Sequence, residues 1–285
     1  MLTSPRDLTV SDIPSAMELS IAAGWNQTPE DWNRILGLSP HRCRCIEIGN
    51  QIVATTTVLA YGTDLAWVGM VLTRPEYRRQ RLATRLMEDA IANAERDGIS
   101  TLKLDATDEG RPLYERFGFV VEGAVERWGR DRSASPSAEQ MPHSFSTQSC
   151  QWGRSIPACL HKLDEEAFGV SREQVLKELS ALGGNTSPNG YVLSRSGRTA
   201  RSIGPCIATS EHEASQLIAA HLDGFNDASE NSENWYWDLL PGNAAVKCAK
   251  DFGFTRRRAL WRMRRGKPIK NNDALVFATA GFELG

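Results

Sequence analysis

The chain of 285 residues carries 33 lysine and arginine side chains against 35 aspartate and glutamate side chains, a formal net charge of −2. At about 150 residues per domain this length favours two domains, and the balanced charge gives no general electrostatic reason to expect nucleic acid or an anionic membrane as a partner. With 41% hydrophobic residues the composition is that of a globular protein, and no stretch reaches the ~18 uncharged apolar residues that a membrane span needs.

The cysteines and histidines give no sign of a metal site. The six cysteines lack the paired spacing of a zinc site or of a disulfide framework, and the five histidines show no ligand spacing. The N-terminal residues also lack the basic and apolar regions of a signal peptide. These features predict a cytoplasmic protein with reduced thiols and no bound metal.

The hydrophobic pattern of the first half predicts an alternation of helices and strands. Three consecutive strands are expected to be antiparallel, because they alternate in polarity and are separated by short turns. The predicted order is helix (11–22), helix (29–36), strands (42–48, 52–59, 65–72), helix (82–94), strand (102–104), helix (112–116) and strand (119–128).

A segment rich in Ser, Pro and Gln, residues 131–151, cannot bury enough apolar surface to fold and is predicted to be a linker. A similar order of elements follows it, with helices predicted at 159–168, 172–182 and 211–221 and strands at 191–194 and 200–208. The tripeptide Phe-Gly-Phe occurs at 117–119 and again at 252–254. The sequence therefore indicates a duplicated fold.

The turn between the third strand and the following helix carries the strongest chemical signal. Its eight residues from Arg74 to Arg81 include four arginines, at 74, 78, 79 and 81. The free amides and the dipole of a helix N-terminus favour an anion such as pyrophosphate at this place. The alternative is a solvated, positively charged helix start without a ligand.

This turn resembles the phosphate loop of the GNAT superfamily of acyl-CoA N-acyltransferases, Q/R-x-x-G-x-G/A. Arg78 and Ala83 match it, whereas Arg81 stands where the first glycine is usual. The resemblance implies acetyl-CoA as cosubstrate. It implies that the following residues bind it: Val71, Thr73, Arg78, Arg79, Gln80, Arg81, Leu82, Ala83 and Thr84. With an ordinary helical backbone at Arg81, we expect its amide to face the ligand and its guanidinium to contact a phosphate.

The resemblance further implies a catalytic role for Tyr114, which precedes Gly118-Phe119 as in the superfamily's short helix. A phenol at this place can protonate the departing thiolate. By the same resemblance, the bulged end of the strand 67–73 would hold the pantetheine arm and polarise the thioester carbonyl with backbone groups. Asp105, at the end of a strand, could take the amine proton or cap the following turn.

No strong general base is apparent, because Trp67 and Val68 occupy the strand on which the superfamily often places a glutamate. The residues Trp25, Trp32 and Trp67 could line an acceptor pocket, although tryptophans more often serve packing.

The segments 24–32, 104–107 and 277–285 look like a bacterial two-domain subgroup of the superfamily, whose second domain is a degenerate copy. In that copy Glu211 and Glu213 replace the arginines of the turn, and Ala249 stands where Tyr114 stands in the first copy. We therefore expect the second copy to bind no coenzyme.

Together these observations predict an α/β protein of two tandem GNAT-like domains, each a mixed, mostly antiparallel sheet flanked by helices. The predicted divisions are a catalytic domain (1–130), a linker (131–151) and a degenerate domain (152–285).

The predicted activity is acetyl transfer from acetyl-CoA to a primary amine of a small molecule or peptide by direct attack. The alternatives are a non-catalytic acyl-CoA sensor and, disfavoured by the net charge, nucleic-acid binding through the turn and 256–258. The oligomeric state is not predicted.

Overall fold

The computed structural model describes residues 4–131, 150–226 and 234–285, so the predicted linker lies almost wholly outside the described residues. These residues form two compact units. The first comprises the described residues up to Glu122 together with Arg262–Pro268 and Glu283–Gly285, and the second comprises the remainder. Each unit therefore contains residues from both halves of the sequence. The predicted domain boundaries, which follow the order of the chain, stay a prediction.

The first half of the chain contains the predicted order of elements. These are, in chain order, β1 (Arg6–Asp7), α1 (Ile13–Ala22), α2 (Pro29–Leu38), β2 (Arg44–Ile48), β3 (Gln51–Tyr61), β4 (Leu65–Thr73), α3 (Leu82–Arg96), β5 (Thr101–Ala106), α4 (Arg111–Arg116) and β6 (Val120–Arg130). The two-residue strand β1 was not predicted, because so short a segment shows no alternation. Residues of β6 from Gly123 onward belong to the second unit.

The second half repeats this order. Its elements are β7 (Gln151–Gly153), α5 (Ala158–Phe168), α6 (Glu173–Ser180), β8 (Gly184–Ser187), β9 (Gly190–Arg195), β10 (Arg201–Ala208), α7 (Glu211–Asn226), β11 (Trp235–Leu239), α8 (Ala245–Asp251), β12 (Thr255–Gly266) and β13 (Val276–Ala278). No helix among the described residues is both long and apolar enough to span a membrane.

The sheet of the first unit is mixed and mostly antiparallel, as predicted. Antiparallel pairs join β1 to β2, β2 to β3 and β3 to β4, and a parallel pair joins β4 to β5. Residues 262–266 of β12 complete this sheet beside β5. Helix α3 packs its apolar side on β2 and β3 through Leu82 and Leu86, which places the N-terminus of α3 beside the end of β4.

The second unit has the same arrangement around its own core. Its sheet runs β7-β8-β9-β10-β11-β6, with antiparallel pairs except for the parallel pair β10 and β11. The duplication extends to the short helices. Gly118 and Gly253 both adopt left-handed backbone conformations, with φ of 79° and 77°, and the next residue's amide bonds back to Tyr114 and to Ala249. The repeated Phe-Gly-Phe therefore marks a repeated helix ending.

Helix starts follow the local signals in the sequence. Pro29 is the first residue of α2, and the Thr28 hydroxyl accepts a hydrogen bond from the Asp31 amide (3.3 Å), while the Asp31 carboxylate accepts one from the Thr28 amide (3.0 Å). This reciprocal capping satisfies two amides that the helix itself cannot pair. It fixes the point at which the connection from α1 enters α2.

Candidate active site

The connection from β4 to α3 in the first unit has the geometry of an anion site. A 3₁₀ turn at Pro75–Tyr77 is followed by four exposed residues, 78–81, before α3 begins at Leu82. The backbone amides of residues 79–84 make no hydrogen bond to the described part of the chain. Free amides at a helix N-terminus carry partial positive charge and can all donate to one bound anion.

The backbone of this connection corrects the expectation for Arg81. Arg79 and Arg81 both have a φ of 61°, in the left-handed region, so Arg81 does not keep an ordinary helical backbone. An L side chain in this region costs roughly 1–2 kcal/mol. The usual glycine at this position of the motif adopts the same conformation without that cost, so the motif itself was a signal for a positive φ here.

Three of the four arginines have guanidinium groups that are exposed to solvent and can contact a bound anion. Arg78, Arg79 and Arg81 are exposed and make no ion pair or hydrogen bond within the described residues. Arg74 differs, because its Nε donates to the Ile52 carbonyl (2.8 Å) and its Nη2 pairs with Glu18. Arg74, which is not among the predicted coenzyme-binding residues, thus ties the end of β4 to β3 and α1.

The other predicted coenzyme-binding residues of this connection differ in how much of their side chains is exposed to solvent. Leu82 is packed in the core against β2 and β3, and the Thr84 side chain is buried, so both can offer only backbone amides to a ligand. Ala83 is half-buried and Gln80 is exposed, with its Nε2 donating to the Glu76 carbonyl (3.4 Å). Contact of these four residues with the coenzyme stays a prediction, and for Leu82 and Thr84 it would be made by the backbone.

Replacing Arg81 by glycine separates its backbone from its charge. Both Arg81→Gly and Arg81→Ala remove the guanidinium, but only glycine relieves the left-handed strain, so Arg81→Gly should be more stable than Arg81→Ala by about 1 kcal/mol. Acetyl-CoA affinity should fall by a similar factor in both variants. Chemical denaturation and calorimetry measure the two effects. An Arg81→Gly variant that binds acetyl-CoA more tightly than the wild type would rule out the guanidinium contact.

A bulge interrupts β4 just before this connection, as the resemblance implies. Thr57 pairs with Gly69 and Thr55 with Leu72, so β4 has one residue more than β3 between these pairs. Met70 adopts a φ of 48°, and its carbonyl accepts a hydrogen bond from the Thr55 hydroxyl (2.9 Å). A bulge turns backbone groups away from the neighbouring strand.

The strands β4 and β5 separate near the same point. Their parallel register pairs Ala66 with Leu102 and Trp67 with Lys103, and it extends no further among the described residues. Val71 and Thr73, both half-buried, therefore lie beyond the paired part of β4. Val71 and Thr73 therefore have no strand pairing to β5 among the described residues, and their contact with the pantetheine arm stays a prediction.

Tyr114 lies on α4, and its ring is buried. Its ring meets that of Phe119 edge to face, with centroids 6.0 Å apart, and the side chain is 8% exposed. The hydroxyl makes no hydrogen bond to the described residues. A Cβ at Gly110 would lie 3.2 Å from the ring, so a glycine there accommodates it. Burial raises the pKa of the Tyr114 hydroxyl above its ordinary value, which keeps it protonated.

Asp105 and Trp67 are brought together by an arginine that the sequence analysis missed. Arg262 donates from Nε and Nη2 to the two carboxylate oxygens of Asp105, at 2.9 and 3.0 Å, and the Asp105 side chain is fully buried. The guanidinium also lies over the Trp67 ring, 4.7 Å from its centroid. No local signal connects these residues, because 157 positions separate Arg262 from Asp105. Each Asp105 oxygen thus accepts one hydrogen bond from Arg262, and the catalytic role of Asp105 stays a prediction.

The two remaining tryptophans lie in different surroundings. Trp32 is fully buried, and its Nε1 donates to the Ser20 hydroxyl (3.2 Å), which joins α2 to α1. Trp25 is half-buried in the α1–α2 connection. Trp32 is thus a packing residue in this structure, while Trp25 has surface to offer a ligand. Contact of either with an acceptor stays a prediction.

The corresponding turn of the second unit has no comparable loop. Only Thr209 and Ser210 separate β10 from α7. The Ser210 hydroxyl accepts from the Glu213 amide (3.2 Å), and its carbonyl accepts from the Ala214 amide (3.0 Å). Two amides at this helix start are thus paired within the chain, and Glu211 is acidic and paired with Lys247. That the second copy binds no coenzyme stays a prediction.

Two family models match this chain. The first, described as the acetyltransferase (GNAT) family, matches residues 14–119, and the second, described as an acetyltransferase (GNAT) domain, matches residues 160–278. The two matches do not overlap, and together they cover well over half of the chain. Each contains one copy of the duplicated order of elements.

Individual proteins resemble the chain over most of its length. The "uncharacterized N-acetyltransferase YitH" of Bacillus subtilis is 26% identical over 214 residues, 72% of this chain and 73% of that protein. A crystal structure of a protein from Pyrococcus horikoshii superposes with a TM-score of 0.83 at 21% identity, covering 99% of this chain and 95% of the other. A tandem GNAT protein from the clavulanic acid biosynthesis pathway gives a TM-score of 0.66 at 14% identity, with coverages of 93% and 99%.

Proposed function

Because this chain belongs to the GNAT acetyltransferase family, we propose that its first unit transfers the acetyl group of acetyl-CoA to a primary amine by direct attack. The family supports an acyltransferase that uses an acyl-CoA cosubstrate and an amine acceptor. The acetyl donor, the primary amine and the direct transfer are our proposals. We further propose that the protein acts in the cytoplasm and that its acceptor is a small molecule or a peptide.

The single observation that carries this proposal is the connection between β4 and α3. It offers consecutive free amides from residue 79 to residue 84, with the unpaired guanidiniums of Arg78, Arg79 and Arg81 around them. A diphosphate has enough acceptor oxygens to use several of these donors at once. The donor set therefore fits the diphosphate of a coenzyme A thioester.

The reacting end of the donor would lie between β4 and β5. In this position the backbone near Val71 and Thr73 would bind the pantetheine arm and polarise the thioester carbonyl. Tyr114, with its protonated and uncommitted hydroxyl, would give its proton to the departing sulfur. The half-buried Trp25 and the Trp67–Arg262 stack are candidates for contact with the acceptor.

Neutralising the three free arginines should weaken acetyl-CoA binding. We expect the triple variant Arg78→Gln, Arg79→Gln, Arg81→Gln to lose roughly 10- to 150-fold in affinity, since each exposed contact to a phosphate contributes about 0.5–1 kcal/mol. The salt dependence of binding should also become shallower. Calorimetry at several ionic strengths measures both. The single variant Arg154→Gln, at an exposed arginine of the second unit, is the control and should bind as the wild type does.

Two measurements test the activity itself. Titration with acetyl-CoA should give saturable heat with one site per chain, because the second copy is expected not to bind. A thiol-release assay with a panel of primary amines should then show coenzyme A formation that depends on the amine. Binding without release for any amine would favour the sensor alternative, and a covalent acyl-enzyme would contradict direct transfer.

A further inference from the structure

The bulge in β4 is held by a side chain of the neighbouring strand β3. Met70 and Val71 together lie opposite the single residue Thr56 of β3. The Thr55 hydroxyl donates to the Met70 carbonyl (2.9 Å), and Thr55 and Met70 are both buried. Because a side chain makes this hydrogen bond, it adds to those of the strand ladder and holds the Met70 carbonyl in one direction.

The backbone conformation of Met70 needs such a restraint. Its φ of 48° lies in the left-handed region, which L side chains rarely adopt. A residue keeps a conformation of this kind only where the surrounding structure imposes it. The Thr55 hydroxyl imposes part of it, since it is bonded to the carbonyl of Met70 itself.

The residue before the bulge is closely packed. A Cβ on Gly69 would lie 3.1 Å from the Cα and Cβ of Glu283 and 3.2 Å from the Thr57 hydroxyl oxygen. Glu283 is itself held by Gln27, whose Nε2 donates to the Glu283 carboxylate (3.1 Å). All these residues belong to the first unit. The bulge therefore follows a point of β4 that has little room to shift.

The Met70 carbonyl and the Val71 N–H belong to one peptide group. This group is planar, and in the usual trans form its C=O and N–H point in opposite directions. A carbonyl directed at the Thr55 hydroxyl therefore directs the Val71 N–H away from that hydroxyl. In the proposed function, this part of the backbone polarises the thioester carbonyl. Such a donor is most effective when it is aimed in advance at the atom on which negative charge develops.

We propose that Thr55 is a positioning residue for acyl transfer, whose hydroxyl fixes the Met70–Val71 peptide so that the Val71 N–H donates to the thioester oxygen. The inference rests on the proposed acetyltransferase activity. The amine nitrogen forms a bond to the carbonyl carbon, and the Val71 N–H stabilises the negative charge that the oxygen gains. When the carbonyl forms again, the carbon–sulfur bond breaks and the sulfur takes the Tyr114 proton. The nitrogen loses one proton to water, and Tyr114 regains one from water. Thr55 acts through the peptide and exchanges no proton.

The first test is the variant Thr55→Val, which removes the hydroxyl, keeps nearly the same shape and has a side chain well suited to a strand. We expect kcat to fall by roughly 10- to 100-fold, because the Val71 N–H is misdirected rather than absent. The KM for acetyl-CoA should stay within about twofold, since the proposed diphosphate contacts are unchanged. Thr55→Ser keeps the hydroxyl and should restore most of the rate.

Infrared spectroscopy separates positioning from a general effect on the fold. The stretching frequency of an isotope-labelled thioester carbonyl falls when a hydrogen bond polarises it. Acetyl-CoA bound to the wild type should therefore show a lower carbonyl frequency than acetyl-CoA in water. Thr55→Val should lower the frequency less. This measurement uses bound acetyl-CoA without an acceptor, so it does not depend on turnover.

The matched control is Thr56→Val. Thr56 is the next residue of β3 and is as buried as Thr55, but its hydroxyl has no hydrogen-bond partner in the described part of the chain. The control variant therefore removes a hydroxyl from the same strand without releasing the Met70 carbonyl. It should keep the wild-type kcat and carbonyl frequency.

The outcomes distinguish this inference from the proposed function. A folded Thr55→Val variant with the wild-type kcat would overturn the inference alone, and so would a lower kcat at an unchanged carbonyl frequency. Thr55→Ala serves the same comparison if the valine variant does not fold. A wild-type protein that binds acetyl-CoA, but neither lowers the carbonyl frequency nor releases thiol with any amine, would overturn the proposed function and this inference with it.

Discussion

Replacing Tyr114 by phenylalanine should lower kcat by roughly 10²–10⁴-fold, the usual contribution of a positioned general acid. The variant loses only the hydroxyl, which makes no hydrogen bond to the described residues, and it keeps the edge-to-face contact with Phe119. We therefore expect stability and acetyl-CoA affinity to change little. The decrease in kcat should come from a slower departure of the coenzyme A thiolate.

The pH dependence adds a second test of the same residue. Burial raises the pKa of the Tyr114 hydroxyl above its ordinary value of 10.0. The protonated form, which is the proton donor, therefore persists at higher pH than in a free tyrosine. The wild-type rate should show no decline from this group up to about pH 10.

Steady-state kinetics with saturating acetyl-CoA measure the effect of Tyr114→Phe. The matched control is Tyr236→Phe in the second unit, which also removes one hydroxyl and keeps a ring in contact with an arginine. Full turnover by Tyr114→Phe would remove the assignment of Tyr114 as the acid. Equal losses in both variants would point to a general effect on the fold.

Replacing Arg262 by methionine should destabilise the first unit by about 3–5 kcal/mol, the usual cost of removing one member of a buried ion pair. Arg262 is the partner of both Asp105 oxygens, and the Asp105 side chain is 0% exposed. The variant also loses the contact between the guanidinium and the Trp67 ring. Chemical denaturation of the full chain measures the change.

A double variant separates the ion pair from the packing. Arg262→Met combined with Asp105→Leu removes both charges, so it should recover most of the stability that Arg262→Met loses. If the double variant is no more stable than Arg262→Met, packing on Trp67 rather than the buried charge accounts for the loss. The single variant Asp105→Asn tests the predicted catalytic role of Asp105. If this variant keeps full turnover, Asp105 serves to pair with Arg262 and not to take a proton.

Local patterns were enough to predict most of the elements. The Thr28-Pro29 start of α2, the alternation through β2, β3 and β4, and the apolar spacing of α3 all depend on residues close in sequence. Strand β8 was missed, since Gly184–Ser187 is short and largely polar. Strand β13 was missed for its length of three residues.

The sequence by itself determined the duplicated α/β order, the antiparallel strands β2 to β4 of the first sheet and the basic turn before α3, because the signal for each lies in neighbouring residues. Only the tertiary structure decided how Asp105 and Glu283 are surrounded. Their partners, Arg262 and Gln27, are 157 and 256 positions away in the chain. Hydrogen bonds between such distant segments have no periodicity or spacing that a linear sequence can show, and burial then fixes which charges are paired.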